Sequence, residues 1–272
     1  MKYRYDFEYV KNYCDTTSIS ERNNFNDEVG IAIVGHVRHA EEISYFYKGL
    51  KNVVFIVDHD ADANLVNKLK ESGINVIENT RPTNTGFYNV NPQCSSSYAA
   101  AKYLKSIGKK YMIRMRSDQI ILQLHTFIQN FKFDKLGFLS YINQKTPHPM
   151  AHAFDEFNDL ISEQYKIDKS TMDLSYCYVM DYCITGPIED MLVFYNYYEE
   201  GAFPAPAEHK LLLNYLANKQ MQIKNSYDYI VENFYLILGV MAKIDVDFIM
   251  IKQNYTNWSV CLKQDSPEIY SF

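Results

Sequence analysis

The chain has 272 residues, of which 47% are hydrophobic and 22% are charged, and its formal net charge is −6 at pH 7. A chain of this length buries roughly three quarters of its unfolded surface on folding, so its core needs no disulfide or structural metal. The negative net charge argues against general nucleic-acid binding, which usually requires a strongly basic face.

The amino-terminal segment and the cysteines bear on where the protein works. Residues 1–15 lack the apolar core of a secretory signal, and no apolar run in the sequence is long enough to cross a membrane. The five cysteines form no Cys-x-x-Cys pair and no zinc-site spacing, a pattern typical of reduced thiols. We therefore expect a cytoplasmic protein that is at most peripheral to a membrane.

Apolar runs alternate with helix-like segments in the first half of the chain. The runs predict strands at residues 29–37, 52–60, 74–79 and 110–118. The segments between them predict helices at residues 40–50, 61–73 and 94–108. This alternation predicts an α/β fold with a doubly wound, mostly parallel sheet flanked by helices. Ligands of such sheets bind beyond the carboxyl ends of the strands.

The second half of the chain is less regular. Strands are predicted at residues 136–143 and 174–186, and helices at residues 188–200 and 206–220. No internal repeat or low-complexity linker interrupts the sequence. We therefore predict a single compact domain made of an N-terminal extension, an α/β half, and a second half with C-terminal helices, over residues 1–28, 29–145 and 146–272.

Three charged side chains interrupt the fourth predicted strand. Arg114, Arg116 and Asp118 occupy alternate positions, so in an extended chain they leave the same face. Charged groups are rarely buried unless they are paired or bind something. A buried ion pair is one explanation. The other is a ligand site, in which Asp118 holds Mg²⁺ or Mn²⁺ and an arginine offsets a diphosphate.

Residues 91–122 resemble the central block of the WavE-type glycosyltransferases of lipopolysaccharide synthesis. That block has an Asn/Gln pair opening a helix, a stretch of small residues, and a strand that ends in a basic-x-Arg-Ser-Asp pattern. The match is carried by Asn91, Gln93, Ser97, Arg114, Arg116, Ser117 and Asp118. Residues 180–196 and 204–216 resemble later segments of the same family. The sequence departs from the family at Pro92, where an arginine is expected, and at the "VDHD" end of the second strand.

The resemblance implies a GT-A-like fold in which the α/β half binds a nucleotide-sugar, here a UDP-sugar, and the second half binds the acceptor. The acceptor is expected to be a glycan or glycolipid hydroxyl, as in polysaccharide biosynthesis. Asp118 is implied as the ligand of Mn²⁺ or Mg²⁺ beside the diphosphate, and the other matching residues are implied in donor binding.

Residues at the ends of the first two strands are further candidates for donor binding. Gly35 ends the first strand, and the resemblance implies that the loop after it meets the nucleobase, so that Val37 and Arg38 would line the base pocket. The alternative is a plain turn glycine followed by a solvated arginine. Asp58 ends the second strand and could accept hydrogen bonds from a ribose or a base. Asp62 is instead predicted to cap the following helix, because a carboxylate there can accept from the first helical N–H groups.

Transfer with inversion needs a general base near the acceptor hydroxyl. Asp181 is a candidate because it interrupts an otherwise apolar strand, and Glu208 is a second candidate. Glu208 also lies in a predicted first helical turn, as do Glu189 and Asp190, and acids at such positions can simply complement the helix dipole. His209 is a weaker candidate than either Asp181 or Glu208.

Two other functions remain open at the level of sequence. Asp58 follows Gly35 at close to the spacing of a Rossmann ribose-binding acid, which would suit a methyltransferase or dehydrogenase. The loop "GHVRH" lacks the glycine pattern that such enzymes use to approach a diphosphate, which argues against them. The third possibility is a non-catalytic, glycan-binding member of the transferase fold, because a single aspartate provides too few ligands for a strong metal site.

Overall fold

The structure is a computed structural model, and it describes residues 7–121, 124–140, 154–172, 183–201, 207–224, 227–238, 242–243, 259–263 and 267–271. Its helices are α1 (Phe7–Thr16), α2 (Ile19–Arg22), α3 (Ala40–Tyr47), α4 (Ala63–Glu71), α5 (Val90–Ser106), α6 (Leu124–Asn130), α7 (Phe154–Tyr165), α8 (Ile188–Phe194), α9 (Ala207–Asn218) and α10 (Tyr227–Asn233). Its strands are β1 (Val29–Val34), β2 (Val53–Asp58), β3 (Asn75–Asn79), β4 (Tyr111–Arg116), β5 (Gln119–Ile120), β6 (Gly137–Ser140), β7 (Cys183–Pro187), β8 (Tyr235–Leu238), β9 (Ala242–Lys243), β10 (Ser259–Lys263) and β11 (Pro267–Ser271).

The main sheet has the strand order β11-β10-β8-β6-β7-β4-β1-β2-β3. Its first-half block, β3-β2-β1-β4, is parallel throughout. Strand β7 then pairs with β4 in the antiparallel sense, while β6 and β8 pair in parallel. The predicted α/β class is therefore confirmed. The strands of the all-parallel block come from the first half of the chain, where alternating strands and helices were predicted.

The order of the parallel strands places a ligand-binding position in the sheet. From β1 the chain moves outward through β2 and β3, and helix α5 then carries it back across to β4, on the other side of β1. The direction of winding reverses between β1 and β4. Loops diverge at such a switch point and leave a crevice at the carboxyl ends of the strands.

Each face of the parallel block packs against its own set of helices. On one face, side chains such as Ala32, Val34 and Ile56 join a hydrophobic cluster with residues of α5, α8 and α9. On the other face, alternate residues such as Ile33 and Phe55 pack with residues of α3, α4 and α6. Strands β1 and β2 are buried on both sides, which is why their sequences are almost entirely apolar, whereas β3 at the edge of the sheet is partly exposed.

Strand β4 departs from this apolar rule on one face only. Its odd-numbered residues Ile113 and Met115 belong to the cluster beneath α3 and α6. Its even-numbered residues Arg114 and Arg116 pair in register with Ala32 and Val34, whose side chains face α5. The predicted shared face of the two arginines is thus confirmed.

Two local predictions have clear outcomes. Asp62 is the N-cap of α4, where its carboxylate accepts from the backbone N–H groups of Asn64 and Leu65 at 2.8 and 3.3 Å, as predicted. Helix α5 begins at Val90, four residues earlier than the sequence pattern indicated. The difference has a physical reason: Pro92 fits a first helical turn, where no N–H donor is needed.

Candidate functional site

A pocket of about 210 Å³ lies at the carboxyl ends of β1, β2 and β4, at the switch point of the sheet. Most of its lining is polar, and much of it comes from the loops that leave these strands and from the first turns of α5. The lining residues are Val34, Gly35, His36, Arg38, Asp58, Arg81, Asn89, Pro92, Gln93, Ser96, Arg114, Arg116, Ser117 and Asp118.

Arginines outnumber carboxylates around this pocket. Four guanidinium groups line it, those of Arg38, Arg81, Arg114 and Arg116, against the two carboxylates of Asp58 and Asp118. The excess of positive charge favours an anionic ligand. Arginine is also the side chain best matched to phosphate geometry, because its planar fork can donate two parallel hydrogen bonds.

Arg116 and Asp118 form a two-point ion pair at the end of β4. The Nε and Nη2 groups of Arg116 donate to the two carboxylate oxygens of Asp118, each at 2.9 Å. The Asp118 side chain is 7% exposed and that of Arg116 is 34% exposed. The carboxylate is therefore enclosed by protein, while the guanidinium reaches the open side of the pocket.

Arg114 is the largest fully buried side chain among the described residues, and it forms part of the pocket wall. Its Nε donates to the hydroxyl of Ser97 on α5 at 3.3 Å, and its guanidinium carbon lies 5.9 Å from the ring centre of Tyr195. Its charge acts on its surroundings: burial raises the pKa of the Cys183 thiol to about 12, and Arg114 partly opposes that rise.

Gly35 allows the loop after β1 to approach the turn after β4. Its φ is +131°, which L side chains rarely adopt, and a Cβ there would lie 2.5 Å from the hydroxyl oxygen of Ser117. The backbone N–H of Ser117 also donates to the carbonyl of Val34 at 2.9 Å. The pocket floor between β1 and β4 is therefore tightly closed.

A second cavity, of about 460 Å³, adjoins the first and shares five residues with it: Gly35, His36, Arg38, Asp58 and Arg81. Its further lining includes Val37, Asp60 and Leu65. The Nη1 of Arg81 lies 3.5 Å from Oδ2 of Asp58, so this ion pair borders both cavities. Together they form a crevice with an arginine-rich end and an end that mixes carboxylates with apolar groups.

The segment before α5 is fixed by a cluster of hydrogen-bonded polar side chains on its side away from the pocket. Asn91 donates to the carbonyl oxygens of Asn84 and Glu199 at 3.1 and 2.8 Å and accepts from the N–H of Glu199 at 2.7 Å. The Glu199 carboxylate accepts from the Phe87 N–H at 3.1 Å and from the ammonium group of Lys210. Both charged side chains are buried. We call Asn84, Asn91, Glu199 and Lys210 the buried latch.

The buried latch fixes the backbone that carries Asn89 into the pocket wall. Tyr88 and Asn89 both have left-handed backbone angles, with φ of 55° and 56°. Asparagine tolerates this conformation, whereas a tyrosine adopts it only when the surrounding structure imposes it. Helix α9, which carries Lys210, packs against this turn. The latch therefore acts as a support of the pocket wall.

The structure brings most of the predicted donor-binding residues together. Of the eleven predicted, eight line the first pocket: Gly35, Arg38, Asp58, Gln93, Arg114, Arg116, Ser117 and Asp118. Val37 lines the adjoining cavity. Asn91 and Ser97 are buried behind the wall, where they contact Glu199 and Arg114 instead of the pocket. A ligand role for any of these residues stays a prediction.

Sequence reasoning missed several lining residues, of which Arg81 is the most consequential. Arg81 follows β3, and the rule that polar groups converge at carboxyl ends had been applied only to β1, β2 and β4. Extending it to β3 would have found Arg81. Asn89 and Ser96 carried no comparable signal, because their positions depend on where α5 begins.

Of the two predicted catalytic residues, only Glu208 lies within the described part of the chain. Asp181 lies outside the described residues. Glu208 is half-buried in the first turn of α9 and does not belong to the pocket lining. Both stay predictions.

The carboxylates of the pocket do not fit a divalent cation in their present arrangement. Both oxygens of Asp118 accept hydrogen bonds from Arg116, and Asp58 faces Arg81. Within the described ranges, no group of three or more His, Cys, Asp or Glu side chains is arranged to hold a metal ion. The predicted Mn²⁺ or Mg²⁺ site at Asp118 stays a prediction, and no chemical step is derived from it.

Comparison with known sequences gives no family assignment. No protein-family model matches the chain, and no curated protein matches it. The resemblance to WavE-type transferases therefore rests on its motif residues alone. In the part of the chain that the structure describes, no helix is both long and apolar enough to span a bilayer.

Comparison with solved structures finds several enzymes at low similarity, among them three from different organisms. A Bacillus anthracis protein named as a glucose-1-phosphate thymidylyltransferase is 9% identical, with a TM-score of 0.43 over 79% of this chain and 89% of that chain. A UDP-glucose phosphorylase from Trypanosoma brucei is 9% identical, with a TM-score of 0.31 over 61% of this chain and 50% of that one. A mannose-1-phosphate geranyltransferase from Thermus thermophilus is 11% identical, with a TM-score of 0.33 over 79% and 75%. At these TM-scores the similarities carry no argument about this chain.

Proposed function

We propose that the chain is a glycosyltransferase that moves a sugar from a nucleoside-diphosphate donor, a UDP-sugar, to a hydroxyl group of a glycan or glycolipid. The observation that carries this proposal is the pocket at the switch point, where four arginines and two carboxylates converge on the carboxyl ends of parallel strands. A doubly wound sheet binds nucleotides at this position, and the charge excess suits their phosphates.

The two cavities suit the two ends of such a donor. The arginine-rich end would bind the diphosphate, and the cavity lined by Val37, Asp58 and Asp60 would bind the nucleoside. Carboxylates accept hydrogen bonds from ribose hydroxyls or base N–H groups, and Val37 and Leu65 offer apolar contact. The motif resemblance to WavE-type enzymes supports the same division.

Transfer of the sugar requires stabilisation of the negative charge that develops on the diphosphate leaving group. When the bond between the anomeric carbon and the diphosphate oxygen breaks, negative charge develops on the diphosphate. Preorganised cations at that position lower the barrier, because they are already aligned when the charge appears. Arg114 and Arg116 are held by Ser97 and Asp118 and would serve in this way. The acceptor proton would go to Asp181 or Glu208, the predicted bases.

A thermal-shift panel with product analysis tests the proposal. The protein is titrated with UDP, CMP, GDP and S-adenosylmethionine, because a ligand that binds only the folded state raises the melting temperature. We expect a shift with UDP and none with S-adenosylmethionine. The protein is then incubated with UDP-sugars and glycan acceptors, and the release of UDP is measured.

The remaining outcomes assign the other functions. A shift with S-adenosylmethionine alone would contradict the proposal and favour the Rossmann-type methyltransferase. Glycan binding without any nucleotide binding would identify a non-catalytic glycan-binding protein. Formation of a nucleotide-sugar from a nucleoside triphosphate and a sugar phosphate would instead assign nucleotidyl transfer.

A further inference from the structure

The Arg116–Asp118 pair bears on how the pocket binds phosphate. A carboxylate that serves a divalent cation must direct oxygen lone pairs at the ion. Here the guanidinium of Arg116 donates one hydrogen bond to each carboxylate oxygen of Asp118 at 2.9 Å, in the two-point geometry that best matches arginine to carboxylate. A divalent cation on the remaining lone pairs would sit beside that guanidinium, and like charges repel strongly in a site shielded from water.

The second carboxylate of the pocket does not provide an alternative cation site. Asp58 faces Arg81 across 3.5 Å at the border of the two cavities. Each pocket carboxylate is thus opposed by an arginine, and Arg38 and Arg114 add two further positive charges. The arginines themselves provide the positive charge that a metal ion would otherwise bring to a diphosphate.

We propose that the pocket binds the diphosphate of its ligand through arginines without a divalent cation, and that Asp118 is a positioning residue that fixes the plane of the Arg116 guanidinium. This inference rests on the proposed function. Both residues line the pocket, but the Arg116 side chain is one-third exposed whereas that of Asp118 is nearly buried. An arginine held by a carboxylate on one edge loses less conformational freedom when a phosphate binds its outer edge.

Arg114 completes this arrangement at the floor of the pocket. Its side chain is enclosed between β4, Ser97 on α5 and the Tyr195 ring, so its position is fixed before any ligand arrives. A phosphate between Arg114 and Arg116 would meet two oriented guanidinium groups on the same face of β4. Ion pairing of this kind needs no octahedral ligand set, so it fits a pocket with few carboxylates.

The first test measures the binding of UDP and of inorganic pyrophosphate to the full chain by calorimetry, in EDTA and in Mn²⁺. We expect the UDP affinity to differ by less than about twofold between the two conditions. Binding of UDP that requires Mn²⁺ would overturn this inference and leave the proposed function standing. Pyrophosphate binding in EDTA without binding of any nucleotide would retain the arginine site but refute the proposed function, and binding of neither probe would overturn both.

A double-mutant cycle tests the role of Asp118. We expect Asp118→Ala to lower the UDP affinity about tenfold in EDTA, because a charged hydrogen bond that loses its orientation weakens by about that factor. The same substitution should have no further effect in an Arg116→Ala background. An effect that persists there would show that Asp118 contacts the ligand or a metal directly. This outcome would overturn the positioning role.

An exposed ion pair elsewhere supplies the matched control. Lys68 on α4 and Glu41 on α3 form a salt bridge at 3.4 Å, away from the pocket lining. Glu41→Ala and Lys68→Ala remove the same types of charge without touching the site. We expect UDP affinity in both controls to stay within about twofold of wild type, as is usual for exposed pairs.

Discussion

Two sets of charged side chains in the part of the chain that the structure describes serve different purposes. At the carboxyl ends of the strands, arginines and aspartates surround a pocket that is open to a ligand. Behind α5, the latch pair of Glu199 and Lys210 is enclosed on all sides, with exposed fractions of 5% and 0%. Both sets contain ion pairs with good geometry, so pairing alone does not distinguish a binding site from a structural support. The open cavity does.

The two sets should differ in what is lost when a charge is removed: folding stability in one case and ligand affinity in the other. A charge in a closed cluster meets only other groups of the protein, and its loss leaves its charged partner buried without compensation. A charge at a pocket also meets the ligand, so its loss should appear in binding. Each of the following substitutions tests this division, in order of decreasing expected effect.

Lys210→Met should give the largest loss of stability. Removing one partner of a buried pair costs about 3–5 kcal/mol, because the Glu199 carboxylate would stay buried without its cation. Chemical unfolding in urea measures the loss. The double variant Glu199→Gln/Lys210→Met should recover most of it, since no uncompensated charge remains.

The matched control for Lys210 is Lys219, which follows the same helix, is 39% exposed and pairs at 2.6 Å with Asp190, which is 16% exposed. Lys219→Met should cost less than about 1 kcal/mol, as exposed ion pairs do. Equal losses for Lys210→Met and Lys219→Met would show that the enclosed pair has no special structural role.

Arg114→Met should weaken the binding of UDP about 100-fold and leave the free energy of unfolding within about 1 kcal/mol of wild type. The first effect follows from the loss of a charged contact with phosphate. The second follows because an unbranched methionine keeps the packing of the arginine stem, and the desolvation cost of a buried charge is removed. Calorimetry and urea unfolding separate the two effects. A collapse of stability with unchanged affinity would assign Arg114 to the same structural class as Lys210.

Gly35→Ala should cost about 2 kcal/mol of stability and distort the pocket floor. An alanine at this position would have to keep a backbone φ of +131°, and its Cβ would lie 2.5 Å from the Ser117 hydroxyl oxygen. Gly108→Ala is the control, since Gly108 also has a positive φ but no atom within 4 Å of its Cβ position. Ser117→Ala should relieve part of the loss only in the Gly35→Ala background, and thermal unfolding would detect this.

Asp62→Ala should have the smallest effect, about 1 kcal/mol, because Asp62 is exposed and caps α4 only locally. UDP affinity should change by less than about threefold, although Asp62 borders the adjoining cavity. Glu71→Ala, at the exposed carboxyl end of the same helix, is the control. A larger effect on affinity than on stability would place Asp62 among the ligand-binding residues.

The sequence by itself determined the features that depend on short separations along the chain. The alternation of apolar runs and helical segments predicted β1 to β4 and the helices between them, and the period of a strand put Arg114 and Arg116 on one face. The cap at Asp62 was equally local. These features are encoded within a few residues, because periodicity and capping need no information from distant parts of the chain.

The tertiary structure decided which polar groups meet. The hydrogen bond from Asn91 to Glu199 joins residues 108 positions apart, and it converts a predicted ligand-binding residue into part of the buried latch. Arg81 enters the pocket because β3 lies beside β2 in the sheet. Such contacts depend on how helices and strands pack together, and the periodicity of one element in the sequence does not specify which other elements lie beside it.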